Sequence, residues 1–226
     1  ELYQKYDTRF GDLSAILIDN LPFYAEMKNI PNKEISLMSD WNVKMNAIIN
    51  AARNEDVGSL TGVPSWMMVV LQKLLTETGQ HHLDDLWPNI EVFFHGGISF
   101  KPYAENYRLI SQKQLNYFEL YNASEGFFGI QDQLNSKDLL LLLDNGIFYE
   151  FIPMEEFGNE NQRFLTIAEV EVDKNYAMVI STNGGLWRYI IGDTVRFTST
   201  NPHRIVVSGR TKHHINAFGE ELMIEN

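Results

Sequence analysis

Short apolar segments divided by Asp, Asn, Gly and Pro fill the second half of the chain, and this pattern constrains its fold most strongly. Such segments are typical of β-strands connected by turns. Asn145-Gly146 separates two of them and tolerates the positive φ of a tight turn, so residues 139–143 and 147–151 are expected to pair as a hairpin. The pattern predicts an antiparallel meander or a small barrel, with further strands at residues 165–172, 176–180, 186–191, 195–198 and 205–207.

The first half of the chain shows helical spacing instead. Asp40 is in position to cap a helix whose apolar residues continue to Ala52. A second helix is expected to begin at Pro64 and to end at Gly79. Buried strands are predicted at residues 90–94 and 115–120.

A change of pattern near residue 137 divides the chain in two. Residues 1–137 are expected to form an α/β part with helices and a mixed sheet, and residues 138–226 an antiparallel β subdomain. Ligands of α/β sheets gather beyond the carboxyl ends of strands. The loops after residues 94 and 120 are therefore predicted to lie side by side.

Composition excludes several classes of function. The net charge of -12 and the pI of about 4.9 argue against a nucleic-acid partner or an anionic membrane. The absence of cysteine excludes disulfides, thiolate metal sites and a catalytic thiol. No apolar run reaches membrane-spanning length, and Glu1 opens with neither Met nor a signal segment, so we expect a cytoplasmic protein of which this chain is a fragment.

The stretch from Tyr121 to Gly126 collects chemically useful groups directly after a predicted strand. The ring of Tyr121 can stack on a purine, the hydroxyl of Ser124 can bond a phosphate oxygen, and the carboxylate of Glu125 can hold a magnesium ion. A nucleotide site needs this set of groups. The alternatives are that Tyr121 is a half-buried core aromatic and that Ser124 and Glu125 are a helix-capping pair.

Three other positions fit the same chemistry. Gly96 and Gly97 end a predicted strand, where bare backbone lets an adenine edge approach, although a simple turn also explains them. Asp193 follows a predicted strand and a glycine, where it can accept hydrogen bonds from both ribose hydroxyls or serve as an ordinary turn residue. Arg188, on the strand before it, is either a surface cation or a partner for substrate charge.

Three other observations are less specific. Residues 209–221 are rich in glycine and polar groups, which favours a hinge, with a surface loop as the alternative. A P-loop is absent, as is any Ser/Thr/Gly-rich run that could replace it. Two histidine pairs do not complete a zinc set, because adjacent side chains diverge and no spaced His-Glu pattern accompanies them: His81-His82 and His213-His214.

Taken together and in order, five stretches resemble the auxin-responsive Gretchen Hagen family of acyl-acid amido synthetases, most closely its bacterial branch, within the acyl-adenylate-forming enzymes. These stretches are residues 59–66, 92–97, 121–126, 181–193 and 209–221. The resemblance implies part of the large domain of such an enzyme. Its Ser/Thr-rich phosphate loop would then lie upstream, and its carboxy-terminal domain with a catalytic lysine downstream. One departure is that Ile190, and not Arg, follows Tyr189, while Arg188 precedes it.

The resemblance also implies an adenosine site. Tyr121 would pack against adenine, with Gly96 and Gly97 lining it. Asp193 would hold the ribose, and Lys212 would contact the nucleotide where the chain enters the hinge.

The resemblance further implies catalytic and substrate-binding groups. Ser124 would contact the α-phosphate, Glu125 would bind Mg²⁺, and Val63, Ser65 and Trp66 would lie near the acyl pocket. The implied reaction uses ATP and Mg²⁺ to adenylate a small carboxylic acid, whose acyl group then passes to an amino acid amine. The alternatives are a thiol acceptor such as coenzyme A, and a non-catalytic nucleotide-binding or interaction module. The fragment alone is expected to be inactive.

Overall fold

The computed structural model describes residues 2–211, 214–217 and 220–223 of the chain. Its described residues divide into two compact units, each built from separate segments. The helical unit comprises Glu1–Leu60, Ser65–Val92 and Pro102–Leu115, and the sheet unit comprises Thr61–Pro64, Phe93–Lys101 and Asn116–Asn226. Because the units are defined by spatial contact and not by continuous sequence, the division near residue 137 stays a prediction.

Seven helices and one hairpin are described in the first half of the chain. The helices are α1 (Leu13–Asp19), α2 (Phe23–Glu26), α3 (Lys33–Ser36), α4 (Trp41–Ala52), α5 (Pro64–Thr78), α6 (Leu83–Leu86) and α7 (Ala104–Leu109). Strands β1 (Leu2–Lys5) and β2 (Thr8–Gly11) pair antiparallel before them. None of the helices described combines the length and the apolar character needed to cross a bilayer.

The predicted helix signals are confirmed. Asp40 caps α4, because its Oδ1 accepts a hydrogen bond of 2.9 Å from the backbone N–H of Val43. Gly79 follows α5 with a φ of +70°, which lets the chain turn away from the helix. The two helices bury their apolar faces, which consist of Met45, Ile49, Ala52, Met68, Leu71, Leu74 and Leu75.

A ten-stranded sheet makes up most of the sheet unit. Its strands are β3 (Ser59–Gly62), β4 (Val92–Gly96), β5 (Asn116–Ala123), β6 (Gly126–Ile130), β7 (Leu139–Leu141), β8 (Ile147–Pro153), β9 (Leu165–Thr166), β10 (Asn175–Thr182), β11 (Tyr189–Thr200) and β12 (His203–Arg210). Their order in the sheet is β3-β4-β5-β6-β7-β12-β11-β10-β8-β9. Strands β13 (His214–Ala217) and β14 (Glu220–Met223) pair with each other. The expected α/β fold class is confirmed.

The hairpin predicted around Asn145-Gly146 is wrong. Strand β7 pairs with β6 and β12, whereas β8 pairs with β10 and β9, so three strands separate β7 from β8. The turn itself exists, because Gly146 has a φ of +73°. Turn residues only reverse the direction of the chain. Which strand pairs with which depends on strand length and burial, and β8 pairs along its whole length with β10.

The predicted meander is confirmed for β10, β11 and β12, which pair antiparallel in succession. However, the strands predicted at residues 186–191 and 195–198 are one strand, β11, interrupted by a bulge. Gly192, with a φ of +90°, lets β11 bulge without ending. The sequence had suggested that Asp193 follows a strand. In the structure it lies inside β11.

Aromatic side chains form the core of the sheet unit. Phe128, Phe151 and Phe197 are completely buried. Phe151 meets Phe197 edge-on with ring centroids 5.0 Å apart, and Tyr121 packs on Phe128 at 5.1 Å. Tyr121 is thus one end of a continuous aromatic core, and it carries a hydroxyl to the edge of that core.

A charge cluster around the buried Arg204 connects β12 with the segment between β6 and β7 in the middle of the sheet. Arg204 on β12 is 7% exposed and contacts Asp132, which follows β6, and Asp138, which precedes β7. The shortest Arg204–Asp132 contact is 2.8 Å, and Thr198 on β11 donates to Asp138 at 2.7 Å. The hydrogen bond from Arg204 holds the pKa of Asp132 below its usual value.

We expect Arg204→Met to lower the free energy of unfolding by about 3 kcal/mol, because two carboxylates lose their common partner. Urea denaturation followed by circular dichroism measures this change. The control is Arg163→Met, whose pair with Glu156 is exposed to solvent, so this variant should lose much less stability than Arg204→Met.

The stability that the Arg204 cluster contributes should depend on pH. The folded pKa of Asp132 is lowered, so its contribution is present above the unfolded pKa and is lost as the pH falls through the folded pKa. The loss of stability on acidification should therefore be smaller in Arg204→Met than in the wild type. Equal acid sensitivity of the two proteins would contradict this role for the cluster.

Candidate functional site

One open cleft in the sheet unit has a volume of about 880 Å³. The loop after β4, the β5–β6 hairpin, the bulge of β11 and the end of β12 surround it. Five residues singled out from the sequence line it together: Gly97, Tyr121, Ser124, Glu125 and Asp193. The predicted side-by-side placement of the loops after residues 94 and 120 holds within this cleft.

A chain of polar contacts crosses the cleft. The hydroxyl of Tyr121 donates a hydrogen bond of 2.7 Å to Oδ2 of Asp193, and Nε of Arg210 lies 3.2 Å from Oδ1. Asp193 and Arg210 face each other across β11 and β12, so the strand register brings the pair together. The bulge at Gly192 thus places the carboxylate between two donors.

The ring and the hydroxyl of Tyr121 have separate roles. Its ring packs in the aromatic core and the residue is only 8% exposed, which agrees with the core alternative considered for it. Burial raises the pKa of Tyr121, and the neighbouring Asp193 raises it further, so the hydroxyl keeps its proton and donates. Packing of Tyr121 against adenine stays a prediction.

Ser124 and Glu125 form the turn of the β5–β6 hairpin, because Ala123 pairs with Gly126. No helix follows them, so the helix-capping alternative is wrong. The stretch treated as a loop after a strand is in fact the end of β5, this turn and the start of β6. Among the described residues, neither side chain has a hydrogen-bond partner, and both line the cleft. Their oxygen atoms are therefore available to a ligand.

The two neighbouring glycines do different things. A Cβ on Gly96 would lie 2.4 Å from the carbonyl oxygen of Leu120, so glycine is required for β4 to approach β5. Gly97 has a φ of +81° and lines the cleft, whereas Gly96 supports the cleft from within the sheet. Val63 adjoins this turn, since its Cγ2 lies 3.5 Å from the Cβ position of Gly97.

The other predicted positions lie elsewhere. Ser65 and Trp66 belong to the helical unit, where Trp66 meets Trp41 edge-on at 5.4 Å, so their link to an acyl pocket stays a prediction. Lys212 lies outside the described residues. Arg188 precedes β11 and makes a bidentate ion pair with the buried Glu150, which is a structural use of that cation.

Two cleft residues were missed by sequence reasoning. Arg210 contacts Asp193, and its position next to Gly209 in a stretch already singled out was a usable signal. Glu119 also lines the cleft, and it shares a strand face with Tyr121 by the two-residue alternation of β5.

The cleft fits a magnesium ion that arrives with phosphate. Within the part of the chain that the structure describes, no three His, Cys, Asp or Glu side chains are grouped to hold a metal ion alone. Mg²⁺ is commonly bound by one or two carboxylates together with substrate phosphates and water. Glu125, which no described residue pairs, can supply such a carboxylate.

The role of Gly96 can be tested by stability. We expect Gly96→Ala to lower the free energy of unfolding by at least about 2 kcal/mol, because the added methyl meets a backbone oxygen that cannot move aside cheaply. The control is Gly58→Ala, where the nearest atom is 3.6 Å away. Thermal denaturation of both variants measures the effect. Equal melting temperatures of Gly96→Ala and Gly58→Ala would contradict the close approach of β4 and β5.

Comparison with known proteins identifies the family. The GH3 family N-terminal domain matches residues 3–115, and the GH3 family central domain matches residues 140–210. Indole-3-acetic acid-amido synthetase GH3.4 of Arabidopsis thaliana is 30% identical over 167 residues, which cover 69% of this chain and 26% of that protein. Jasmonoyl--L-amino acid synthetase GH3.5 of Oryza sativa subsp. japonica is 32% identical over 137 residues, covering 52% of this chain and 23% of that protein.

Solved structures show the same fold. AtGH3.15 acyl acid amido synthetase in complex with 2,4-DB superposes with a TM-score of 0.69 at 16% identity, covering 90% of this chain and 44% of that chain. A 2-hydroxyisobutyryl-CoA ligase superposes with a TM-score of 0.59 at 13% identity, covering 81% of this chain and 39% of that chain. The chain therefore has the fold of part of an adenylate-forming enzyme. It spans about a quarter of the length of the curated relatives named above, and it belongs to the GH3 family.

Proposed function

We propose that this chain is part of an ATP-dependent acyl-acid amido synthetase, which adenylates a small carboxylic acid and joins its acyl group to an amino acid amine. The observation that carries this proposal is the convergence of Gly97, Tyr121, Ser124, Glu125 and Asp193 on one cleft. The names of the GH3 relatives state amido synthesis from indole-3-acetic acid or a jasmonoyl group, which supports the same reaction class. Because the chain covers about a quarter of them, the reaction is assigned to the larger protein.

Asp193 is the acceptor for the ribose hydroxyls in this proposal. A carboxylate offers about four lone-pair sites, and Tyr121 and Arg210 engage one oxygen each. Two hydroxyls can therefore be accepted without breaking either contact. The two contacts also fix the orientation of the carboxylate before the nucleotide arrives, which reduces the entropy lost on binding.

Ser124 and Glu125 serve the phosphate end. The hairpin turn holds both side chains beside the cleft, and no described residue competes for their oxygens. The Ser124 hydroxyl donates to an α-phosphate oxygen, and Glu125 supplies one carboxylate to Mg²⁺. When bound, Mg²⁺ neutralises part of the phosphate charge.

Adenylation overcomes the poor leaving group of a free carboxylate. An oxygen of the acid attacks the α-phosphorus of ATP and pyrophosphate leaves, and the amine nitrogen then attacks the acyl carbon and AMP leaves. The chain's own groups position the nucleotide and stabilise charge, which is the main protein contribution in phosphoryl chemistry. A covalent protein nucleophile is not required, in keeping with the absence of cysteine.

The acceptor of the acyl group can be tested directly. We expect the full-length protein, supplied with ATP, Mg²⁺ and a panel of carboxylic acids, to form amides with amino acids. Mass spectrometry of the products with amino acids and with coenzyme A measures this. Thioesters without amides would overturn the proposed acceptor, and no ATP-dependent product would favour a non-catalytic module.

The role of Glu125 has its own test. We expect Glu125→Gln in the full-length protein to lower kcat/KM for pyrophosphate release by about 100-fold, because a ligand charge for Mg²⁺ is lost near the developing phosphate charge. Glu160→Gln, in an exposed loop, is the matched control and should leave the rate unchanged. An unchanged rate in Glu125→Gln, with the same melting temperature, would rule out the metal role.

A further inference from the structure

Arg188 lies outside the cleft, and its backbone has an unfavourable conformation. It directly precedes β11 and has a φ of +45°, in the left-handed region that residues with a side chain rarely adopt. Such conformations persist only where the surrounding contacts hold them, and they are concentrated near functional sites. The contacts of Arg188 therefore indicate what this position does for β11.

Three contacts hold Arg188 in place. Its backbone N–H donates to Oγ of Ser181 on β10 at 3.0 Å. Its guanidinium makes a bidentate contact with Glu150 on β8, in which Nε donates to Oε2 at 2.9 Å and Nη2 donates to Oε1 at 2.5 Å. The Cζ atom of the same guanidinium lies 4.5 Å from the centroid of the Phe164 ring. Arg188 is thus connected to β8, to β10 and to the residue that precedes β9.

The carboxylate of Glu150 depends on this partner. The side chain of Glu150 is only 8% exposed, although that of Arg188 is largely accessible. Glu150 lies inside β8 between two neighbouring strands, because it pairs with Val179 on β10 and with Thr166 on β9. A buried carboxylate without a counter-charge is costly, so Glu150 holds the guanidinium strongly. The ion pair therefore attaches the beginning of β11 to the interior of the sheet.

The bulge of β11 has a short flank on the side of Arg188. Only two residue pairs join β11 to β10 between Arg188 and the bulge, and pairing resumes at Thr194. Residues 191–193 of β11 therefore lie opposite the single residue Met178 of β10. The position of Asp193, the last residue of this bulge, depends on how firmly both flanks are held.

Two residue pairs alone leave the short flank able to slip along β10. A slip of one residue would turn every side chain of the flank to the opposite face and would change the length of the bulge. Asp193 would then leave its place opposite Arg210 and lose the hydrogen bond from Tyr121. The contacts of Arg188 oppose this slip, because they attach the end of the flank to other strands.

We propose that Arg188 is a positioning residue for the nucleotide cleft. Its contact with Glu150 sets the register of β11, and this register places the Asp193 carboxylate where it accepts the ribose hydroxyls. The inference rests on the proposed function, because it names a residue that acts through the ribose acceptor assigned there. Arg188 itself does not line the cleft, so its effect on the nucleotide is transmitted by Asp193.

The test compares ATP with 2′-deoxy-ATP, which lacks one of the two ribose hydroxyls, by pyrophosphate release from the full-length protein. The wild type should prefer ATP by about 10-fold to 100-fold in kcat/KM, the usual worth of a hydrogen bond to a charged group. In Arg188→Met this preference should fall below about threefold, because the Asp193 carboxylate is displaced. The ratio does not depend on the amount of folded enzyme, so a general loss of stability would leave it unchanged.

Arg196→Met is the matched control. Arg196 also lies on β11 and pairs with a carboxylate, since its Nη1 is 2.8 Å from Oδ1 of Asp173, but this pair is on the other side of the bulge and exposed. Arg196→Met should therefore keep the wild-type preference for ATP.

Arg188→Lys gives a second readout if Arg188→Met does not fold. Lysine keeps a positive charge beside Glu150 but cannot make the bidentate contact, so the preference for ATP should fall by about threefold. An unchanged preference in Arg188→Lys or in a folded Arg188→Met, or an equal loss in Arg196→Met, would overturn the inference. A wild type that releases no pyrophosphate, or that uses both nucleotides equally, would overturn the proposed function and the inference with it.

Discussion

The hydrogen bond from Tyr121 to Asp193 connects the aromatic core of the sheet unit with the cleft, across 72 positions of sequence. The ring of Tyr121 packs on the fully buried Phe128, so the donor cannot move without disturbing the core. The acceptor is equally constrained, because Asp193 sits in a bulge of β11 that Gly192 makes possible. The position of the Asp193 carboxylate in the nucleotide cleft that we propose is therefore a consequence of core packing and strand register.

The charges of the chain are distributed in a way that suits this cleft. The chain carries a net charge of -12, which opposes binding of an anionic nucleotide. Several cations are already used in structure: Arg204 with two aspartates, and Arg188 with Glu150. Lys101 and Arg210 line the cleft, and a magnesium ion delivered with the nucleotide would offset further charge. In the function that we propose, these local groups would bind the nucleotide in spite of the negative total charge.

Glycine shows how local sequence can point to the right place for an incomplete reason. Gly96-Gly97 suggested bare backbone beside a ligand, and Gly97 does line the cleft. Gly96 is required for a different reason, because β4 approaches the carbonyl of Leu120 too closely for any side chain. A sequence shows that a residue without Cβ is present, but only the neighbouring strand shows what the Cβ would meet.

The sequence by itself determined the two longest helices, α4 and α5, many strand positions, the family and five of the residues that line the cleft. Helix caps and apolar periodicity depend on neighbours within a few residues, so Asp40 and the spacing to Ala52 were enough to predict α4. Only the tertiary structure decided that β7 and β8 do not pair, that Asp193 lies in a bulge, and that Glu119 and Arg210 share its cleft. These features depend on strand register and on contacts between residues far apart in the chain, which burial decides and which local spacing cannot encode.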